Sequence, residues 1–191
     1  MSENPAPIIQ LIVDIFERLG VPYLIGGSIA SMIHGVIRTT MDADIVADLR
    51  ADQVEAFVNA LAGAFYLDTE SIRDAIRHRR CFNVIHLATM FKIDIFIPRW
   101  DRYLREEFNR RKRMVVTTAP ERSGCVASVE DTILAKLSWY RQGGHVSDRQ
   151  WRDVLELIKI HRDRLELTYL HQWATELEVQ DLLEKAMHDA A

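Results

Sequence analysis

The chain has 191 residues, 48% of them hydrophobic and 27% charged, enough apolar material for one globular domain or two small ones sharing an interface. A formal net charge of −4 gives no whole-chain basic field of the kind that marks nucleic-acid binding. Cys81 and Cys125 lie far apart without metal-type spacing, the N-terminus has no basic-then-apolar leader, and no apolar run approaches the ~18 residues of a membrane span. The expectation is a cytoplasmic protein with no disulfide framework and no membrane contact.

In chain order, apolar residues at helical spacing predict a helix over 8–19, stopped by Gly20. A short buried strand follows over 21–25, then a helix over 27–34 with Gly35 as its C-cap. Residues 43–49 read as a strand, and 51–61 as a helix with Val54, Phe57, Val58 and Leu61 on one side. A short strand over 65–67 leads to a helix capped by Asp68 or Thr69 and running to about 79. Two strands, 82–87 and 91–97, are joined by Ala88-Thr89-Met90, which predicts an antiparallel hairpin. A helix over 100–109 and a strand over 114–118 come next. After Pro120 only helices are predicted. Ser128-Val129-Glu130-Asp131 and Ser147-Asp148-Arg149-Gln150 are capping-box-like starts, and further helices cover 165–173 and 177–187.

The chemistry concentrates around Gly26-Gly27-Ser28 and Asp42-Ala43-Asp44. Residues two apart on a strand face the same way, so Asp42 and Asp44 project together. Two like charges this close are unfavourable unless a cation compensates them, and magnesium characteristically uses one or two carboxylates plus substrate phosphates. Taken alone, the pair is more often an exposed strand face carrying two acids. The Gly-Gly-Ser turn changes that balance. It lets backbone approach a ligand closely and opens a helix whose free N–H groups suit an anion, with Ser28 adding a hydroxyl. Asp94, a charge inside the otherwise apolar run 91–97, is a third carboxylate; placed beside the first two it would hold a catalytic metal or act as general base. Lys92 shares its strand face and reads equally as a salt-bridge partner.

These residues resemble a known signature. Gly26-Gly27-Ser28, Asp42-Ala43-Asp44-Ile45 and Lys92-Ile93-Asp94 are similar to the nucleotidyltransferase fold shared with polymerase-beta-like enzymes. More narrowly, Gly26-Gly27-Ser28-Ile29-Ala30, His34-Gly35, Arg38-Thr39-Thr40 and the acid pair resemble AbiE-type toxins and related bacterial nucleotidyltransferases, and the likeness continues weakly through Glu130-Asp131, Lys136-Leu137 and Arg149 to Asp153. The resemblance implies an α/β (α+β) fold: a mixed sheet with flanking helices as a catalytic core over 1–120, and a C-terminal helical bundle over 121–191 completing the cleft. It implies transfer of a nucleoside monophosphate from a nucleoside triphosphate to a hydroxyl. Gly26, Gly27, Ser28 and Arg38 would contact phosphates, and Asp42, Asp44 and Asp94 would hold magnesium in a two-metal site, with manganese as a substitute. Lys136 would offer a point charge to the triphosphate, and Asp153 would orient it or act on the acceptor. An Arg149–Asp153 pair one turn apart is the competing reading for that helix.

The acceptor stays open between RNA or tRNA, a protein and a small molecule of antibiotic type; a catalytically silent nucleotide-binding module, or one partnered by an antitoxin or regulator, is the alternative of another class. Arg77-His78-Arg79-Arg80 and Arg110-Arg111-Lys112-Arg113 would suit a polyanionic acceptor, but each also ends a predicted helix, where cations are favoured anyway. The tryptophans at 100, 139, 151 and 173 read as helix-packing residues.

Overall fold

The computed structural model describes residues 5–191. In α1 (Ala6–Arg18), Ile8, Ile9, Ile12, Val13, Ile15 and Phe16 recur at helical spacing and are buried, and Gly20 follows in the left-handed region at φ 65°. β1 (Tyr23–Ile25) turns at Gly26 into α2 (Gly27–Ile33). β2 (Asp42–Ala47) alternates along its length, burying Ala43, Ile45 and Ala47 and leaving Asp42, Asp44 and Val46 half-buried on the other face. A 3₁₀ turn (Ala51–Gln53), α3 (Val54–Leu61), β3 (Phe65–Tyr66) and α4 (Thr69–His78) lead to β4 (Cys81–His86) and β5 (Lys92–Phe96). Then come α5 (Arg102–Arg110), β6 (Lys112–Thr118), β7 (Glu121–Val126), α6 (Val129–Gln142), α7 (Asp148–His161), α8 (Leu167–Glu176) and α9 (Gln180–Asp189).

The strands form one mixed sheet in the order β3-β4-β5-β2-β1-β7-β6, with β2–β5 and β1–β7 parallel and the other pairs antiparallel. The expected hairpin of β4 and β5 is present. One sheet face packs on α1, α3 and α4 in a core that includes a Phe16–Phe57 stack at 5.5 Å. A separate apolar cluster joins α6 to α9 around Ile133, Leu134, Leu137, Leu157 and Leu183. The segment after α2 ties the two together. Val36 belongs to the helical cluster, His34 Nε2 donates to Ala127 O at 2.8 Å, and His161 Nε2 donates to His34 O at 2.8 Å. Ser128 and Ser147 cap α6 and α7 as their sequence signatures predict.

The expectation of helix alone after Pro120 is corrected by β7. This strand lies inside the sheet, between β1 and β6, yet reads as polar because only Cys125 and Val126 are apolar. Gly124 explains part of the disguise. A Cβ there would stand 3.2–3.3 Å from Val116, Ile25 and Tyr23, so the tight approach of three strands leaves no room for a side chain. The sheet therefore continues to Val126, and the purely helical part begins with α6.

Candidate active site

The acids meet through strand register. In the parallel β2–β5 pair, Asp44 stands opposite Asp94 and Asp42 opposite Lys92. Lys92 Nζ lies 2.7 Å from Asp94 Oδ2, so Asp94 already has a counter-charge. Thr40 Oγ1 donates to Asp42 Oδ1 at 2.8 Å and orients it. Burial, followed by the charges of Asp42 and Asp94, pushes the Asp44 carboxyl up to about 6. Among the described residues no ion pair reaches Asp42 or Asp44.

The Gly-Gly-Ser turn wraps this acid. Gly26 N donates to Asp44 O at 2.9 Å, and Gly27 adopts φ 55°. A Cβ on Gly27 would fall 1.9 Å from Asp44 Oδ2, so glycine is required by both the backbone conformation and the carboxylate beside it. α2 has only seven residues, so the turn offers close backbone approach rather than a long helix dipole.

Across the cleft, α6 and α7 supply a buried cationic network. Lys136 Nζ lies 2.7 Å from Asp153 Oδ2 and 3.1 Å from Gln150 Oε1, and Arg38 Nη1 also pairs with Asp153. Burial holds the Lys136 ammonium below the usual lysine range against the pull of Asp153. Among the described residues no ion pair joins Arg149 to Asp153; Asp153 instead bridges Lys136 and Arg38.

The resulting cleft encloses about 660 Å³. Gly26, Gly27, Ser28, Arg38, Asp42, Asp44 and Lys136 line it together. Asp94 and Asp153 are not on its lining: the first sits beside Asp44 engaged with Lys92, and the second stands behind Lys136. Among the described residues no three His, Cys, Asp or Glu side chains converge as a ready-made metal cage. Of these residues, Asp42 and Asp44, which line the cleft and have no ion-pair partner among the described residues, have the donor chemistry that fits magnesium.

Sequence reasoning missed the other half of the cleft. Leu24, Val46, Phe96, Leu104, Glu107 and Trp139 line it. Val46 and Phe96 follow from the same period of two that found Asp44 and Asp94; Glu107 and Trp139 carry no local signal. Helix packing holds for Trp173, buried at 4%, but Trp139 is 54% exposed. The basic clusters are partly engaged: Arg110 pairs with Glu130 and Glu166, Arg113 with Glu17, and Arg79 with Asp48.

The chain is similar in structure to the antibiotic-resistance factor ANT(2'')-Ia, covering 100% of both chains with a TM-score of 0.59 and 14% identity. It is also similar to an antigenic nucleotidyltransferase-like protein from Paracoccidioides brasiliensis, over 98% of this chain and 93% of that one, with a TM-score of 0.57 and 14% identity. The protein thus has the nucleotidyltransferase fold, a mixed sheet followed by C-terminal helices. No family model and no curated protein matches the chain, so the narrower resemblance to AbiE-type toxins rests on sequence motifs alone. No helix among the described residues is long and apolar enough to cross a membrane.

Proposed function

We propose that the protein is a magnesium-dependent nucleotidyltransferase. It moves a nucleoside monophosphate from a nucleoside triphosphate to a hydroxyl and releases pyrophosphate. The observation that carries this reading is the Gly27 turn pressed against Asp44, which in turn stands in register with Asp94 on the parallel neighbour strand.

In this reading the backbone at Gly26 and Gly27 and the Ser28 hydroxyl donate to phosphate oxygens, and Lys136 and Arg38 add positive charge from the opposite wall. Asp42 and Asp44 would hold magnesium, which would supply charge neutralisation at the phosphates and make the acceptor hydroxyl more acidic. The acceptor oxygen forms a bond to the α-phosphorus as the bond to the pyrophosphate oxygen breaks. Asp94 receives the hydroxyl proton once Lys92 releases it. Asp153 is a positioning residue that sets Lys136 and Arg38. Alignment and charge neutralisation carry most of the rate.

The acceptor has two readings. RNA or tRNA in a toxin-like setting follows from the sequence motifs. Transfer to a small molecule is favoured by the end-to-end likeness to ANT(2'')-Ia and by the ion pairs that already hold Arg110 and Arg113. The test is incubation with each α-labelled nucleoside triphosphate, magnesium, and either total RNA or a small-molecule extract, with Asp44→Asn as control. Label should move to one fraction and stay put with the variant. Equal transfer by Asp44→Asn would remove the acid pair from the chemistry.

A further inference from the structure

A second, smaller groove adjoins the cleft at its cationic wall. It encloses about 240 Å³ and is lined by Arg38, Thr39, Arg149, Arg152, Asp153 and Glu156. Arg38 and Arg149 line the main cleft as well, so the two cavities share a wall. Arg149, Arg152, Asp153 and Glu156 are spaced three and four apart on α7 and therefore fall on one helix face. Helix geometry offers each arginine a carboxylate one turn on, Asp153 for Arg149 and Glu156 for Arg152. Neither pair forms. Among the described residues no side-chain hydrogen bond or ion pair reaches Arg149, Arg152 or Glu156, and Asp153 is held by Lys136 and Arg38.

The cations here outnumber the acids: Lys136, Arg38, Arg149 and Arg152 face Asp153 and Glu156 alone. Like charges in successive helical turns repel, and an anion between them relieves the repulsion. Guanidinium groups match phosphate oxygens with paired hydrogen bonds, and the groove lies against the first turns of α7, the positive end of its dipole. We propose that Arg149 and Arg152, with Arg38, form a site for inorganic pyrophosphate that is separate from the triphosphate site and receives the leaving group on its way out. The inference rests on the nucleotidyltransferase reading and adds to it a second ligand site and a route for the product.

In-line displacement decides the side. The attacking and leaving oxygens stand on opposite sides of the transferred phosphorus. The hydroxyl and Asp94 belong to the sheet, whereas Lys136 and Arg38 stand on the opposite wall, so the pyrophosphate departs toward Arg38. Arg38 lines both cavities and can pass the anion to Arg149 and Arg152. Size agrees: 240 Å³ against 660 Å³ for the cleft suits the product better than a whole nucleoside triphosphate.

The experiment is calorimetric titration of pyrophosphate, in magnesium, into protein already saturated with a nucleoside triphosphate analogue that cannot be cleaved between its α- and β-phosphates. The filled cleft should still leave room for one pyrophosphate per chain. Arg152→Gln, which alters a residue of the groove alone, should weaken pyrophosphate about tenfold and the analogue by much less. Glu156→Gln should tighten pyrophosphate by about twofold, a gain that a merely structural role would not produce. Exclusion of pyrophosphate by the analogue, or indifference to Arg152→Gln, would overturn the groove while analogue binding keeps the transferase reading. A short oligoribonucleotide that binds more tightly than pyrophosphate, with the same dependence on Arg152, would overturn the product assignment in favour of an acceptor backbone. If pyrophosphate binds through Arg152 but none of the four nucleotide analogues binds, the groove stands as an anion site and the transferase reading falls. If neither binds, both fall together.

Discussion

Asp44 offers a test in which stability and activity move in opposite directions. Its carboxyl is half-buried beside Asp42 and Asp94 and sits at about 6 rather than the usual 3.8. Keeping it ionised above that range therefore costs the ligand-free fold about 3 kcal/mol, some of which a neutral amide of the same shape would recover. The sign follows from linkage. A carboxyl raised on folding destabilises the protein fully above its folded value, and the penalty disappears as the pH falls toward the unfolded value of 3.8. Asp44→Asn should then stabilise the ligand-free protein by about 1–3 kcal/mol at pH 8, raising Tm by roughly 2–4 °C for each kcal/mol in a chain of this length. The gain should vanish near pH 4. Urea or thermal unfolding at the two pH values, without magnesium, measures it. The same variant should lose nucleotide turnover. Destabilisation at pH 8, or an equal effect at both pH values, would refute the claim that burial and the neighbouring acids disfavour the ionised Asp44 carboxyl.

Other substitutions probe separate contacts. Gly27→Ala forces a side chain into the left-handed region and onto the Asp44 carboxylate; it should lower stability by about 1–2 kcal/mol and abolish turnover, as unfolding and single-turnover assays would show. Asp153→Ala leaves Lys136 and Arg38 as neighbouring cations with no carboxylate between them, and should cost roughly 3–5 kcal/mol by chemical denaturation. Lys92 is 43% exposed, so Lys92→Met should shift stability by less than about 1 kcal/mol. A turnover loss as deep as that of Asp44→Asn would instead make Lys92 part of the reacting set.

The part of the site that lies along single strands was legible in the sequence. A period of two placed Asp42 and Asp44 on one face, and a lone charge in an apolar run exposed Asp94. The glycines of the first turn declared a close approach, although its object, the Asp44 carboxylate, depends on the neighbouring strand. Contacts between distant segments were not legible. Nothing local indicates that Asp153 bridges Arg38 and Lys136, or that Glu107 and Trp139 reach the same cleft from α5 and α6. β7 escaped for a related reason. Interior strands usually declare themselves by apolar residues, but here Gly124 provides fit by having no side chain, and the strands on either side supply the burial.

The central claim is that the cleft splits a triphosphate between its α- and β-phosphates. Supplying the protein with one nucleoside triphosphate labelled at the α-phosphate, and in parallel at the γ-phosphate, tests it most directly. The account expects α-label on the acceptor and γ-label in pyrophosphate, both lost in Asp44→Asn. Recovery of γ-label on the acceptor, or as free phosphate with a nucleoside diphosphate left behind, would contradict it.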